Sequence, residues 1–319
     1  MKTILIAGLL AQATSAPLPP SPPPAAPPHL PGIIGGPAGS GRLPAIAEVD
    51  ADLPGHTIYR PAKATSAPLP IVLWGNGGCR DNGLSASHFL REVASHGYFV
   101  VAVGHARSER PVGPPPKLVP VPLTPAIFKG PSSPAPDETT TAQVIAGLDW
   151  AIRENARKGG PHFRKLDPAR VAVMGHSCGG LQAIEASADP RIKTSVIWSS
   201  GIYDRTGIAP KVGIAIDKTA IAKFHGPVAY INGGPTDIAY TAAVDDFRRI
   251  ERVPAFFGWT SIGHGGTFAA ENGGEYGRIG VAWLNWQLRR DRSASRMFTG
   301  KACGLCVRPD WTVERKRID

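Results

Sequence analysis

Nothing in this sequence is apolar for long enough to span a bilayer. The best candidate, Ile4 to Leu10, falls far short of the ~20 residues a transmembrane helix needs. No cluster of His, Cys, Asp and Glu has metal-ligand spacing, so no metal is expected. Gly75-x-Gly77 follows an apolar run but lacks the third glycine and the later acidic residue of a dinucleotide fingerprint. No nucleotide, and no other cofactor, is therefore expected. There is no internal repeat, no clear lid helix and no apolar interfacial patch. Acidic residues are in deficit, 25 against 35 Lys and Arg, for a formal net charge of +10. The late basic clusters, Arg289-Arg290-Asp291-Arg292 and Arg315-Lys316-Arg317, come without a nucleic-acid motif or interleaved aromatics. They read as a solvated basic surface, with no nucleic acid as partner.

What is present begins with a leader. Met1-Lys2-Thr3, a short apolar run and the small residues Ala11 to Ala16 have the build of a secretory signal peptide, residues 1–16. Export to the periplasm or the extracellular space is expected. Pro17 to Arg42 is rich in Pro, Ala, Gly and Ser and cannot bury a core, so residues 17–42 read as an extended linker. Residues 43–319 of the 319-residue chain are long enough for one large α/β domain. A monomer is expected.

Ala45–Asp50 and His56–Arg60 read as edge strands. Pro70–Trp74, a Gly-rich loop, the amphipathic helix Leu84–His96 and Tyr98–Val103 make a βαβ unit with a parallel strand pair. Arg107–Asp137 is a long Pro-rich loop. Glu138–Lys158 is helical, with Val144, Ile145, Leu148, Ala151 and Ile152 on one face. Strands follow at Lys193–Trp198, Val228–Asn232 and Pro254–Trp259, with helices at Tyr240–Glu251 and Glu275–Arg290.

The chain is organised around Val171–Gly180, V-A-V-M-G-H-S-C-G-G. An apolar strand runs into Gly175-His176-Ser177-Cys178-Gly179 and then into a helix. This G-x-S-x-G between strand and helix has the form of a nucleophile elbow. Small residues at Gly175 and Gly179 let strand and helix pass close to Ser177. The Cys178 N–H, next to the nucleophile, is expected to be one oxyanion donor, and the Gly77-Gly78-Cys79 loop to supply the other.

A serine nucleophile needs a base, and the base needs a carboxylate to orient it. Asp237 follows the strand ending at Asn232, and His264 follows the strand ending at Trp259. Ser177, Asp237 and His264 thus occur in the order Ser, Asp, His, each after a strand. His264 is the only histidine downstream of Asp237. Asp204 is the rival acid and His225 a weaker rival base. His176 is expected to pack beside the elbow. Trp198 and Tyr203 could line the acyl site or simply pack in the core.

Gly75–Gly104, the G-H-S-C-G-G elbow, Thr236-Asp237 and Gly263-His264-Gly265-Gly266 together resemble secreted α/β-hydrolases of the dienelactone hydrolase, platelet-activating-factor acetylhydrolase and cutinase-type polyesterase group. Ala94-Ser95-His96-Gly97-Tyr98 resembles the A-S-H-G-[FY] stretch at the end of that group's first core helix. The resemblance implies an α/β fold of the α/β-hydrolase type, a mostly parallel central sheet with helices on both faces. It implies a serine carboxylic-ester hydrolase acting on small-molecule or polymeric esters, with an aromatic such as Trp198 at the acyl site. Counting back from Ala94–Tyr98 puts Cys79 at the position of the first oxyanion donor. The Gly75–Cys79 loop departs from the group's P-G-[FY], and the Cys-x-x-Cys tail has no counterpart. Short acyl chains are expected. The alternatives are a serine peptidase or acyltransferase on the same fold, and a non-catalytic binding module on a tether.

Four cysteines in an exported chain favour disulfides. If Cys79 and Cys178 both aim their amides at one oxygen, their Cα atoms fall near disulfide range. This suggests Cys79–Cys178 and leaves Cys303–Cys306. The competing reading is a free Cys178 thiol of lowered pKa at a helix N-terminus.

Overall fold

A computed structural model describes residues 32–113, 138–203, 214 and 216–319. The signal peptide, linker residues 17–31, most of the Pro-rich loop (residues 114–137) and the rival acid Asp204 lie outside the described residues.

The strands are β1 (Gly32–Ala38), β2 (Ala45–Val49), β3 (His56–Pro61), β4 (Leu69–Gly75), β5 (Phe99–Val103), β6 (Leu166–His176), β7 (Ile192–Trp198), β8 (Val228–Asn232), β9 (Ala255–Trp259) and β10 (Thr312–Lys316). They form one mixed, mostly parallel ten-strand sheet in the order β1-β2-β3-β5-β4-β6-β7-β8-β9-β10. From β5 to β9 every pairing is parallel. Antiparallel pairs extend both edges. The inner strands are buried along their whole length, as in β4 and β5. That is why they appear in sequence as continuous apolar runs rather than alternating ones.

The helices are α1 (Ser87–Ser95), α2 (Thr141–Ala156), α3 (Cys178–Ala186), α4 (Tyr240–Arg249), α5 (Gly274–Arg289) and the short α6 (Arg292–Ser295). They cover both faces of the sheet. Ile71 and Leu73 of β4 share one core with Leu148 of α2, Ile184 of α3 and Phe247 of α4. Val72 and Trp74, one residue out of phase, share the other with Phe89 of α1 and Trp283 of α5. Strand periodicity thus divides a single run of sequence between two cores. Among the described residues, no helix is long and apolar enough to cross a membrane.

Local chemistry sets the element ends. The Thr140 hydroxyl accepts from the Gln143 N–H while the Gln143 side chain accepts from the Thr140 N–H. This capping box starts α2 at Thr141, three residues after the expected Glu138. Two strands fall where the sequence shows no apolar run. Gly32–Ala38, inside the expected linker, pairs with β2 through Ile33↔Glu48 and Ile34↔Ala47, with an irregularity before Ala38. Thr312–Lys316 pairs with β9 from Thr312↔Trp259 to Lys316↔Ala255.

Candidate active site

Because β4 to β9 run parallel, their C-terminal ends lie along one edge of the sheet, where open α/β sheets carry their sites. Ser177 follows β6, Asp237 follows β8, and His264 follows β9. The loops bring these three side chains together.

Ser177 has φ 55° and ψ −121°, a strained conformation for a residue with a side chain. Its surroundings over-determine it. The Ser177 N–H donates to the Trp198 carbonyl at 3.0 Å, and the Ser177 carbonyl accepts from Gly180 N–H and the Ser200 hydroxyl. The crossing is so close that a Cβ on Gly175 would meet the Gly179 oxygen at 2.0 Å.

The Ser177 hydroxyl donates to His264 Nε2 at 2.8 Å. His264 Nδ1–H donates to Asp237 Oδ1 at 2.7 Å. An ionised carboxylate can only accept, so this bond puts the proton on Nδ1 and leaves Nε2 free to take one. Asp237 is buried, and Gly233 N–H and Ala239 N–H also donate to it, at 3.0 and 2.9 Å. Burial alone would raise its pKa. The bond and charge of His264 and the two amides outweigh that and hold the carboxyl below its ordinary value. The arrangement can activate a hydroxyl for attack on a carbonyl and return the proton to a leaving group.

His176 packs beside the elbow, its ring 5.1 Å from that of His264 and 4.9 Å from Phe268. Its Nε2–H donates to the His264 carbonyl at 2.7 Å, pinning the loop that carries His264. Removal from water, with His264 adding to it, pushes its pKa down to about 3, so it stays neutral.

Cys79 and Cys178 form one disulfide, with Cα atoms 5.2 Å apart, and Cys303 and Cys306 form the other. No described cysteine is free. The oxyanion expectation needs correction at Cys79. Its N–H donates to the Asn76 carbonyl at 3.0 Å, and the residue is fully buried. The bond closes a tight turn over Asn76–Cys79, with Gly78 at φ 66°, ψ 12°, and it aims the Cys79 amide back at residue 76 rather than at the cavity. Gly77 is the residue of this turn that lines the cavity, and among the described residues its amide has no backbone acceptor. The Cys178 amide opens α3 and likewise has none upstream.

Asn76 is a site residue the sequence reading missed. Fully buried, it accepts from Trp74 Nε1 and the Ser85 hydroxyl and donates to the Arg80 and Val103 carbonyls. Its own carbonyl accepts from Cys79 and Gly179, tying the Gly-rich loop to the elbow. A lone polar residue at the end of an apolar strand was the available signal.

The sequence left Trp198 and Tyr203 between the acyl site and the core, and neither is among the described residues that line the cavity. Trp198 is fully buried in an aromatic cluster with Phe89, Phe268 and Tyr276 and does not line the cavity. Side chains alternate along a strand, and at Trp198 the alternation points into the α1/α5 core. The Tyr203 hydroxyl donates to the Ile238 carbonyl, on the loop carrying Asp237. Burial, with Asp237 nearby, pushes its pKa up to about 12. The cavity over Ser177, ≈ 230 Å³, takes its aromatic walls from Trp74 and Phe268 instead.

No family model matches the chain, and no curated protein is similar enough to it to count as a match.

Proposed function

We propose that the chain is an exported serine hydrolase of the α/β-hydrolase fold that cleaves carboxylic esters. The observation that carries this is the continuous hydrogen-bonded relay Ser177–His264–Asp237, at 2.8 and 2.7 Å, on an elbow whose serine has positive φ. The Ser177 oxygen attacks the acyl carbon while its proton passes to His264 Nε2. Asp237 holds the imidazole and stabilises the imidazolium. The amides of Cys178 and Gly77 receive the oxyanion. His264 then protonates the departing alkoxide, leaving an acyl-serine. Water attacks this ester with its proton going to His264, the acid departs, and the same proton returns to Ser177.

The cavity is smaller than the ~300–1,000 Å³ of drug-sized sites, which supports short acyl chains. The test is Ser177→Ala. Hydrolysis of p-nitrophenyl acetate should fall by about 10⁴-fold or more, with thermal unfolding little changed. Retained turnover in a folded variant would end the proposal. A series from acetate to palmitate should peak at the short end, and optimal turnover of palmitate would refute the chain-length expectation.

A further inference from the structure

A second cavity, of ≈ 200 Å³, opens at the edge of the sheet opposite Ser177. It lies where the parallel strands β4, β5 and β6 begin, at Leu69, Phe99 and Leu166, and where antiparallel β3 ends, at Arg60 and Pro61. β4 lends Leu69 to this cavity and Trp74 to the one over Ser177, so the two lie at opposite ends of one strand. Leu69, Phe99 and Leu166 are buried and give the second cavity an apolar wall.

His162 also lines this cavity and is only 6% exposed. Its ring sits edge-to-face against Phe99 at 5.0 Å and Trp150 at 5.7 Å. Its backbone is tied to the start of β4: the His162 carbonyl accepts from Lys165 N–H, and the Lys165 carbonyl accepts from Leu69 N–H. Neither ring nitrogen has a hydrogen-bond partner among the described residues. Removal from water holds the imidazole pKa below its ordinary 6.5. At neutral pH the ring therefore presents one N–H donor and one free lone pair. A buried polar group left unmatched is costly, and this one borders open space that a ligand can fill.

The charge around the cavity selects the ligand's sign. Glu48 is the one acid among the described lining residues, and Arg60 closes it off. Arg60 Nε and Nη2 donate to its two oxygens at 2.8 and 2.7 Å, and Arg60 Nη1 donates to the Pro61 carbonyl. Lys63 and Lys165 are exposed at the rim, and neither has an ion-pair partner among the described residues. Two positive charges are thus left uncompensated beside an apolar wall.

We propose that this cavity binds a small carboxylate whose apolar body is the size of a single aromatic ring. The body lies against Leu69, Phe99 and Leu166, while the carboxylate meets Lys63 and Lys165 and accepts from the His162 N–H. An apolar cavity of about 150 Å³ suffices for benzene, so one ring fits here. A bare inorganic anion would leave the apolar wall uncovered, and a cation would meet both lysines. Nothing in this site depends on the chemistry at Ser177.

Isothermal titration calorimetry of the full chain with benzoate tests the site. Benzoate should bind with a Kd at or below about 1 mM. Benzyl alcohol, which lacks the charge, and acetate, which lacks the ring, should each bind at least about tenfold more weakly. In Lys63→Gln/Lys165→Gln, benzoate affinity should fall about tenfold. Both side chains are exposed, so thermal unfolding of this variant should match wild type. Proton–nitrogen spectra of the imidazoles locate the ligand: benzoate should shift the signals that His162→Gln removes. Absence of saturable benzoate binding, equal affinity for benzyl alcohol or acetate, indifference to the lysine substitutions, or shifts at His264 without shifts at His162 would each overturn the proposal.

Discussion

The two disulfides sit in regions with opposite needs. Cys79–Cys178 joins residues 99 apart, and Cys303–Cys306 joins residues 3 apart. The first links the Gly-rich turn after β4 to Cys178, the residue beside Ser177. That turn has little packing of its own: Gly77 and Gly78 bring no side chains, and Gly78 and Cys79 both have positive φ. The second closes a loop already anchored by its neighbours. Phe298 and Leu305 are fully buried, and Phe298 packs on Phe256, Trp283 and Trp286. Where apolar burial is available, the bridge adds less. Where the proposed chemistry needs bare backbone, a covalent link replaces the missing packing.

The largest effect should come from Cys79→Ala/Cys178→Ala. The loop-entropy relation gives about 4.7 kcal/mol for a loop of ~100 residues, measurable by denaturant unfolding. Loosening the turn should also lower kcat on a short ester by about 10- to 100-fold, part of what losing an oxyanion donor costs. Unchanged kcat would mean that Asn76 alone holds the turn. Cys303→Ala/Cys306→Ala should cost about 2 kcal/mol by the same relation and leave kcat unchanged. A fall in kcat as large as at the first bridge would erase the contrast.

Smaller changes should separate the two regions further. Ser177→Gly relaxes the positive φ at the elbow and should raise stability by roughly 1 kcal/mol, read as a higher Tm. An unchanged or lower Tm would show that the elbow stores no strain. Acid provides the smallest effect. Asp237 has a folded pKa below its ordinary 3.8. Its contribution is therefore complete above the unfolded value and is lost as pH falls through the folded one. Asp237→Asn should flatten the dependence of Tm on pH below about 4, and a slope equal to wild type would contradict the sign.

The buried strands were legible because parallel strands covered on both faces are apolar throughout. Val228–Asn232 falls where the sequence alone puts it. The edges were not. Thr312–Lys316 is T-V-E-R-K, and β1 is G-I-I-G-G-P-A. Both are strands only because a neighbouring strand offers open backbone groups, and that information lies elsewhere in the chain. At the site, strand-then-loop order sufficed to nominate Ser177, Asp237 and His264, because parallel strands put their ends on one edge. Side-chain direction was not legible. Trp198 and the Cys79 amide point away from the cavity for reasons of pleat and turn geometry that spacing does not reveal. The Cys79–Cys178 pairing was nonetheless expected, from a premise the structure replaces: the turn approaches the elbow closely, but through Gly77 rather than through the Cys79 amide.

Labelling with a fluorophosphonate, read by intact mass and peptide mapping, tests the activated serine most directly. The wild-type protein should take up one adduct, on Ser177. Ser177→Ala should take up none, and His264→Ala should react at least about 10²-fold more slowly, for want of the general base. Absence of an adduct on Ser177, or equal labelling of His264→Ala, would contradict a nucleophile activated by His264 and Asp237.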